Sequence, residues 1–308
     1  MTRRPIIIDC DPGVDDAVML MMALASDHLD VRAITTVAGN VPLALTSRNA
    51  RMLCDLMGRT EIPVYAGCAR PMVRPPVTAE EFHGESGIAG LEPFDPETPL
   101  QKDHAVNALI EILKAAGPRG ISVVVTGPMT NLAMAIIMAP EIVENIDQFV
   151  VMGGACSVGG NITDYAEYNV YADPHAVSVV LKSGLQATIL SLDVTQQVRA
   201  EDEHLDPFRA MTGDRPAMMI RLLDAANKLE GYWRNGNRTP MHDPSTIAWL
   251  LAPHLFESRK ADVDVNTNTG DRFGQMSVSY KETGQHVWVT GADPYGFFDL
   301  IRGLVATS

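Results

Sequence analysis

The stretch PIIIDCDPGVDDA, residues 5–17, decides how this chain folds. Pro5–Cys10 is almost continuously apolar, a pattern typical of strands that are buried on both faces of a parallel sheet. Pro12-Gly13 then forces a tight turn. Asp15–Ser26 has the pattern of a helix, and the two acidic residues at its start suit the positive end of the helix dipole. The stretch therefore predicts a strand, a turn and a helix, the repeating unit of an α/β fold.

The same alternation of apolar runs and helical patterns continues along the chain. Further strands are predicted at Val31–Ala38, Ile62–Ala66, Ile121–Thr126, Phe149–Met152, Ala187–Leu192, Ala261–Val265, Gln275–Tyr280 and His286–Thr290. Further helices are predicted at Leu43–Met57, Asp103–Ala116, Met129–Met138, Pro174–Ser183, most of 200–235, and Pro294–Val305, with a long loop at Gly153–Ala172. This order predicts an open, mostly parallel sheet with helices on both faces, in which the strands near the C-terminus need not be parallel. Since no repeat or linker divides the chain, we expect one domain over residues 1–308.

The composition limits the class of protein. The 308 residues are 46% hydrophobic and 20% charged, so the chain can bury a large core. The balance of 24 Lys+Arg against 38 Asp+Glu gives a net charge of −14, which argues against binding to nucleic acid or to an anionic membrane surface. The cysteines (Cys10, Cys54, Cys68 and Cys156) form no CxxC pair, and this indicates a reducing compartment. The opening residues lack a signal-peptide pattern and no apolar run approaches about 18 residues, so we expect a cytoplasmic protein.

Carboxylates gather around the first predicted turn. Asp9, Asp11, Asp15 and Asp16 fall within eight residues, and they repel one another unless a positive charge lies among them. Oxygen ligands of this kind suit a hard cation, Ca²⁺ or Mg²⁺. The alternative is that Asp15 and Asp16 only stabilise the start of a helix while the other two are solvated, which explains two acidic residues better than four. The turn therefore predicts a metal site.

Further polar residues follow other predicted strands, at the sheet edge where ligands bind in this kind of fold. Asn40 follows the second strand and offers hydrogen bonds to a hydroxyl or a water. The Gly-Pro after Thr126 could leave its carbonyl free to ligate a metal, and Asn131 is a candidate helix cap. Asp243 could complete the cation site, with His242 beside the ligand. Taken singly, each of these is also ordinary turn or cap chemistry.

The predicted long loop carries a second polar group. Asn161, Glu167 and Asn169 lie among glycines, between Tyr165 and Tyr171. Amides and a carboxylate suit a polyhydroxylated ligand, because each hydroxyl both donates and accepts a hydrogen bond. A bare surface loop is the competing interpretation, and the flanking aromatic residues favour a site.

Taken together, these motifs resemble the inosine–uridine-preferring nucleoside hydrolase family, the calcium-dependent ribonucleoside N-hydrolases. The opening DCDPGVDDA, residues 9–17, matches the signature of that family. The resemblance continues through VAGN (37–40), HGESG (83–87), TGPMTN (126–131), VMGG (151–154), Asn161, AEYN (166–169), ADP (172–174) and HDP (242–244). It covers nearly the whole chain and implies an enzyme that hydrolyses ribonucleosides such as inosine or uridine to free base and ribose.

The resemblance implies one Ca²⁺ held by Asp11, Asp16, Asp243 and the main-chain carbonyl of Thr126. Asp11 would also take the proton from a water on this ion, and His242 would be the general acid for the leaving base. The bond to the base breaks largely before water attacks, so the surrounding carboxylates would favour an oxocarbenium-like transition state.

The resemblance also implies three sets of substrate contacts. The set for the ribose ring and the attacking water is Asp15, Asn40, Asn169 and Met152. The set for the 5′-hydroxyl is Asn161 and Glu167. The set near the base is His83, Tyr168 and one or both of Tyr232 and Trp233. These residues do not distinguish a purine substrate from a pyrimidine substrate. The resemblance also implies a homo-oligomer, usually a tetramer and sometimes a dimer.

Two other functions fit part of the pattern. A Mg²⁺-dependent phosphohydrolase with Asp9 as its nucleophile would explain a strand followed by acidic residues, but a nest of carboxylates is a poor site for phosphate. A Ca²⁺-dependent nucleoside- or ribose-binding protein without turnover would use the same binding residues. The presence of both Asp11 and His242 favours the enzyme over the binding protein.

Overall fold

A computed structural model describes residues 3–233 and 238–306, without the side chains of residues 81–82 and 230–233. The strands in these ranges are β1 (Arg4–Cys10), β2 (Leu29–Thr36), β3 (Val64–Ala66), β4 (Ile121–Val125), β5 (Ile146–Met152), β6 (Ala187–Leu190), β7 (Phe256–Val265), β8 (Met276–Tyr280) and β9 (His286–Ala292). Within the described ranges they form one nine-stranded sheet in the order β3-β2-β1-β4-β5-β6-β9-β7-β8.

The sheet is parallel over most of its width and antiparallel at one edge. β1 is the third strand from the β3 edge and pairs in parallel with β2 on one side and β4 on the other. The parallel part continues through β5 and β6 to β9. β7 runs antiparallel to both β8 and β9. The prediction of a mostly parallel sheet with non-parallel strands near the C-terminus is confirmed.

Helices cover both faces of this sheet. They are α1 (Val14–Ala25), α2 (Leu43–Leu56), α3 (Glu80–His83), α4 (Ala105–Ala116), α5 (Thr130–Met138), α6 (Tyr168–Ala172), α7 (Pro174–Leu181), α8 (Leu192–Thr195), α9 (Asp202–Arg209), α10 (Asp214–Trp233), α11 (Pro244–Leu251) and α12 (Pro294–Ala306). Successive residues of β1 point to opposite faces. Ile6 and Ile8 pack in the core with α1, α11 and α12, whereas Ile7 packs with α4, α5 and α7. This is why the first strand is apolar without alternation.

Among the differences between the predicted elements and the structure, three have clear local causes. β7 begins at Phe256, five residues before the predicted Ala261, because its first half carries exposed side chains and shows no apolar run. The predicted loop Gly153–Ala172 ends in the short helix α6, which Glu167 caps through its side chain. The predicted helical region 200–235 is split into α9 and α10, with Gly213 at a positive φ of 119° between them. Sequence periodicity finds the elements but not these local interruptions.

The topology brings several predicted site residues to one edge of the sheet. Asp11, Asn40 and Thr126 directly follow, or lie within a few residues of, the carboxyl ends of β1, β2 and β4, and Met152 ends β5. These strands are neighbours in the sheet, so their ends converge. Among the described residues, none of the helices has both the length and the apolar character needed to cross a membrane.

Candidate active site

The turn after β1 buries the Asp11 carboxylate completely. Its Oδ2 accepts a hydrogen bond of 2.7 Å from the main-chain N–H of Asn40, and the Asn40 side chain donates back to the Asp11 carbonyl at 3.1 Å. A Cβ at Gly39 would overlap Asp11 Oδ2, and one at Gly127 would lie 2.8 Å from Asp11 Oδ1. The two glycines therefore make the space that the carboxylate occupies.

A second group of carboxylates lies beside this turn. Asp15, Asp16 and Asp243 each place a carboxylate oxygen within 4.8 Å of the other two. Asp16 is held from both ends, because its Oδ2 accepts the Gly13 N–H at 2.9 Å and its Oδ1 accepts the Thr126 hydroxyl at 2.8 Å. Asp16 and Asp243 are buried, and Asp15 is partly exposed. The structure thus brings three predicted acidic residues together at the start of α1.

Burial and mutual repulsion disfavour the charged form of these acids. Burial, with the Coulombic effect of Asp15 added, raises the pKa of Asp16 to about 7. Burial and the charge of Asp16 raise the pKa of Asp11 well above its usual range. Burial and the charges of Asp15 and Asp16 do the same to the pKa of Asp243. A bound cation would remove this penalty, because an opposite charge favours ionised carboxylates.

The oxygen atoms that could ligate a metal at this site fit a hard cation. Asp11 Oδ1 and Asp15 Oδ1 are buried and accept no hydrogen bond from the described part of the chain. Both are carboxylate oxygens, and oxygen ligands suit Ca²⁺ or Mg²⁺ and not a soft metal. The three carboxylates that lie within 4.8 Å of one another include Asp15, which the resemblance places on the ribose, and do not include Asp11. A buried acidic cluster that could hold a metal is therefore present at this edge of the sheet.

Asn169 connects the residue after β4, which lies beside the acidic cluster, to the end of β5. Its side-chain amide donates to the Thr126 carbonyl at 2.8 Å and approaches the carbonyl and sulfur of Met152 at 3.5 Å each. The Thr126 carbonyl is thus already engaged by one donor, although a carbonyl oxygen has two lone pairs. Asn169 lies in α6, so the short helix that the sequence did not predict positions this amide.

Glu167 is buried, and three main-chain N–H groups donate to its carboxylate. Its carboxylate accepts the N–H groups of Gly154 at 2.9 Å, Asn169 at 2.8 Å and Val170 at 3.1 Å. Burial raises the pKa of this carboxyl group in spite of these hydrogen bonds. Glu167 therefore caps α6, and any ligand hydroxyl would share the carboxylate with those donors.

Asn161 and Tyr168 close the loop over the site. The Asn161 side-chain oxygen accepts the Tyr168 N–H at 2.8 Å. The Tyr168 hydroxyl donates to the Val77 carbonyl at 2.9 Å, and burial raises the pKa of this hydroxyl. The polar end of Tyr168 is thereby tied to the segment before α3, and its ring is left to line the pocket.

Two histidines face the pocket from different sides. His83 Nδ1 accepts the Val14 N–H at 3.2 Å and lies 3.9 Å from the Asp15 carboxylate, and burial lowers the pKa of His83. His242 Nδ1 lies 2.7 Å from the Thr195 hydroxyl. Because Nδ1 of His83 accepts a main-chain N–H, the proton of a neutral His83 ring lies on Nε2, which can donate to a ligand.

These groups line a pocket of about 800 Å³, counted with its open mouth. The predicted site residues that line it are Asp15, Asn40, His83, Thr126, Met152, Asn161, Glu167, Tyr168, Asn169, His242 and Asp243. Asp11 and Asp16 are buried in the turn and helix start beside it. The side chains of Tyr232 and Trp233 lie outside the described residues. Val14, Ala79, Ile162, Ala226, Thr239 and Pro240 also line the pocket, and none of them was predicted as a site residue.

The pocket is acidic, is lined with oxygen atoms and lies at the carboxyl edge of a parallel sheet. These features are typical of an enzyme site for a small polyhydroxylated ligand. Residues 6–299 match the model of a known family, and the chain belongs to that family, the inosine-uridine preferring nucleoside hydrolases. The prediction from the sequence motifs is confirmed, and the protein is by class a ribonucleoside hydrolase.

Individual relatives support this assignment. The chain is 39% identical over 311 residues to the pyrimidine-specific ribonucleoside hydrolase RihA of Shewanella woodyi, covering 99% of this chain and 98% of the relative. Among solved structures, it is similar to the plant nucleoside hydrolase PpNRh1, with a TM-score of 0.92 and 25% identity over 100% of both chains. It is also similar to the purine-preferring ribonucleoside hydrolase of Gardnerella vaginalis, with a TM-score of 0.91 and 27% identity over 99% and 100% of the two chains.

Proposed function

We propose that the protein hydrolyses the N-glycosidic bond of ribonucleosides with Ca²⁺ held by Asp11, Asp16, Asp243 and the Thr126 carbonyl. The observation that carries the proposal is a buried set of carboxylates, two of whose oxygens lack hydrogen-bond partners among the described residues, beside a pocket lined with amides. Such a site suits a cation together with a sugar, and its net negative charge suits a developing ribosyl cation.

The bound ion would supply positive charge that lowers the pKa of a coordinated water and anchors neighbouring hydroxyl oxygens. Asp11 accepts the proton of the attacking water at Oδ1, because Oδ2 is held by the Asn40 N–H. A carboxylate that is positioned beside the attacking water is a common general base.

The ribose is held by groups on three sides of the pocket. Asp15, Asn40 and Asn169 bind the ring hydroxyls, and Asn161 with Glu167 binds the 5′-hydroxyl. These residues come from α1, the turn after β2, and the loop that ends in α6. Holding every hydroxyl fixes the sugar in its reactive geometry, and a missing 2′-hydroxyl would leave polar groups unpaired. These contacts therefore predict that deoxyribonucleosides are hydrolysed more slowly than ribonucleosides.

The leaving base receives its proton from His242. His242 lines the pocket, and its Nδ1 is engaged by Thr195, so Nε2 carries the proton to the base nitrogen. His83 and Tyr168 line the pocket, and in this proposal they contact the base, with His83 Nε2 donating to a ring acceptor. Protonation matters because a nucleobase leaves poorly as an anion, and general acids typically contribute about 10²–10⁴-fold.

The substrates we propose are pyrimidine ribonucleosides. The proposal is supported by 39% identity over nearly the whole chain to a relative described as pyrimidine-specific, against 27% to one described as purine-preferring. A catalytically silent Ca²⁺-dependent binding protein is the alternative function, and it would retain the same binding residues.

The test is ribose release from uridine, cytidine, inosine, adenosine and 2′-deoxyuridine, each with Ca²⁺ and after exhaustive chelation. We expect Ca²⁺-dependent release that is fastest from uridine or cytidine and weak from 2′-deoxyuridine. Faster release from inosine or adenosine would overturn the pyrimidine preference alone. Protein that binds Ca²⁺ and uridine but releases ribose from none of the five would overturn hydrolysis and favour the binding protein.

A further inference from the structure

The segment that presents His242 is fixed by main-chain hydrogen bonds. The Met241 N–H donates to the Val198 carbonyl at 2.8 Å, and the Ala200 N–H donates to the Thr239 carbonyl at 2.9 Å. These bonds pair residues 239–241 with the segment that directly follows α8. The backbone beside His242 is therefore tied to the residues that follow α8.

Thr195, the last residue of α8, faces the histidine ring. It is fully buried, and its N–H donates to the Ser191 carbonyl at 3.0 Å, as a helical residue should. Its hydroxyl lies 2.7 Å from His242 Nδ1. This is a normal length for a hydrogen bond that involves a hydroxyl oxygen. Thr195 thus holds one nitrogen of the ring from behind, on the side away from a ligand bound at Nε2.

The short helix that carries Thr195 is anchored on two sides. The Asp193 carboxylate accepts the N–H of Cys156 at 2.8 Å and that of Ser157 at 2.6 Å, in the loop after β5. The Gln197 side chain donates to the Thr290 carbonyl at 3.0 Å, and its oxygen accepts the Ala292 N–H at 3.3 Å, both in β9. A single-turn helix is not stable by itself, so these contacts to neighbouring segments fix the position of the Thr195 hydroxyl.

We infer that Thr195 is a positioning residue that directs the His242 proton to the leaving base. The inference rests on the proposed role of His242. When the C1′–N bond breaks, its electron pair goes to the base, and Nε2–H gives its proton to that base nitrogen. The Nδ1–H stays on the ring and donates to Thr195 Oγ1 before and after the transfer. Without the hydroxyl, Nδ1 loses this hydrogen bond and the ring is oriented less precisely, so proton transfer to the base is less efficient.

The variants T195V and T195S separate this role from a structural one. Valine keeps the shape of threonine and removes the hydroxyl, whereas serine keeps the hydroxyl. Each is assayed on uridine, or on the fastest ribonucleoside of the panel, and on p-nitrophenyl β-D-ribofuranoside. Nitrophenolate leaves without being protonated, so the second substrate needs no general acid. We expect T195V to lower kcat for the nucleoside about 10–100-fold, part of what a general acid contributes, with KM little changed. The kcat of T195V for the nitrophenyl riboside should equal that of the wild type. T195S should retain most of the wild-type kcat for the nucleoside.

The outcomes distinguish this inference from the proposed function. Wild-type protein that releases no ribose from any nucleoside refutes the proposed function before a variant is made. Active wild type with T195V equally impaired on both substrates, or unimpaired on both, overturns the role of Thr195. Should T195V not fold, T195A and the double variant T195A/H242A replace it. In the double variant, loss of Thr195 should add nothing to the loss of His242, and an additive loss would overturn the inference.

Discussion

At the scale of single residues, the arrangement of Asp11 determines what the site can do. One carboxylate oxygen is held by the Asn40 N–H at 2.7 Å, and the other has no hydrogen-bond partner among the described residues. A carboxylate fixed at one oxygen presents the other in a single direction. In the proposed function, the second oxygen of Asp11 binds a cation or accepts a proton. Both roles of Asp11 therefore depend on its charge and not only on its shape.

Replacing this carboxylate by its amide tests that dependence. D11N retains an oxygen for the Asn40 N–H but can neither accept a proton nor neutralise a cation. We expect ribose release to fall by about 10³-fold or more, since the general base and a metal ligand are lost together. Steady-state ribose assays measure it. D27N, at an exposed surface position, is the matched control and should be neutral. Wild-type activity in D11N would contradict the assignment.

Gly39 offers a second residue-scale prediction. A Cβ at this position would overlap Asp11 Oδ2 and lie 2.9 Å from Pro128 Cδ. G39A should therefore displace the Asp11 carboxylate and weaken Ca²⁺ binding at least tenfold, as isothermal titration calorimetry would show. G303A is the control, because a Cβ at Gly303 meets nothing within 4 Å and Gly303 lies inside α12. It should leave binding unchanged and stabilise the fold by about 0.5–1 kcal/mol. Equal binding by G39A and G303A would show that the carboxylate has room to move.

At the scale of elements, the apolar runs predicted the buried parallel strands because both faces of those strands need apolar side chains. The same rule missed the first half of β7, whose side chains are exposed at the antiparallel edge. It also missed α6 and α8, since helices of five and four residues are too short to show a helical period. Thr195 was missed with α8, because one threonine in a short apolar stretch carries no signal of its contact with His242.

Asn131 shows why motif residues can be found while their contacts are not. It was a candidate helix cap, but the interpretation is wrong. Its amide donates to Asp9 Oδ1 at 2.8 Å and to the Thr36 carbonyl at 3.0 Å, and its oxygen accepts the Cys68 N–H at 2.8 Å. Asn131 therefore links α5 to the ends of β1 and β2 and to the residues after β3. Such contacts between distant segments cannot be read from local spacing.

Loss of this link should weaken the whole sheet edge. N131A leaves the Cys68 N–H without its partner and removes one of two donors from the Asp9 carboxylate oxygen and one of two from the Thr36 carbonyl. Since a lost partner of a buried polar group costs about 1–3 kcal/mol, we expect destabilisation of about 2–4 kcal/mol. Urea unfolding monitored by circular dichroism measures it. N107A changes an exposed asparagine on α4 and should be neutral or slightly stabilising. A loss no larger in N131A than in N107A would mean that water or a neighbouring group replaces the amide.

At the scale of the whole molecule, one sheet takes strands from residue 4 to residue 292, which supports the proposal of a single domain. The acidic cluster joins the start of α1 to the start of α11, two segments far apart in the sequence, so a cation there should stabilise the entire fold. A ligand at about 100 times its Kd stabilises by about 2.7 kcal/mol, which corresponds to roughly 5 °C or more in Tm. We expect Ca²⁺ to raise the Tm of chelated protein by this amount and to leave D16N unaffected. An equal rise in both proteins would place the ion elsewhere.

Asp9 gives the chelated protein a distinct dependence on pH. Burial raises its pKa from 3.8 to about 6, although Asn131 and Thr35 donate hydrogen bonds to it. The folded state therefore binds the proton more tightly than the unfolded state does. This contribution to stability is complete below about pH 4 and disappears as the pH rises through about 6. It amounts to about 3 kcal/mol, because a tenfold difference in proton affinity is worth about 1.4 kcal/mol.

The variant D9N isolates this contribution, because asparagine keeps an oxygen at Oδ1 for Asn131 and Thr35 and does not titrate. Stability of both chelated proteins is measured by urea unfolding between pH 4 and pH 8. The free energy of unfolding of the wild type minus that of D9N should fall steadily from pH 4 to pH 7 and then level off. Other carboxyl groups titrate in both proteins, so their effects cancel in this difference. A difference that is constant with pH, or that grows as the pH rises, would mean that Asp9 is ionised in the folded protein and that a positive charge compensates it.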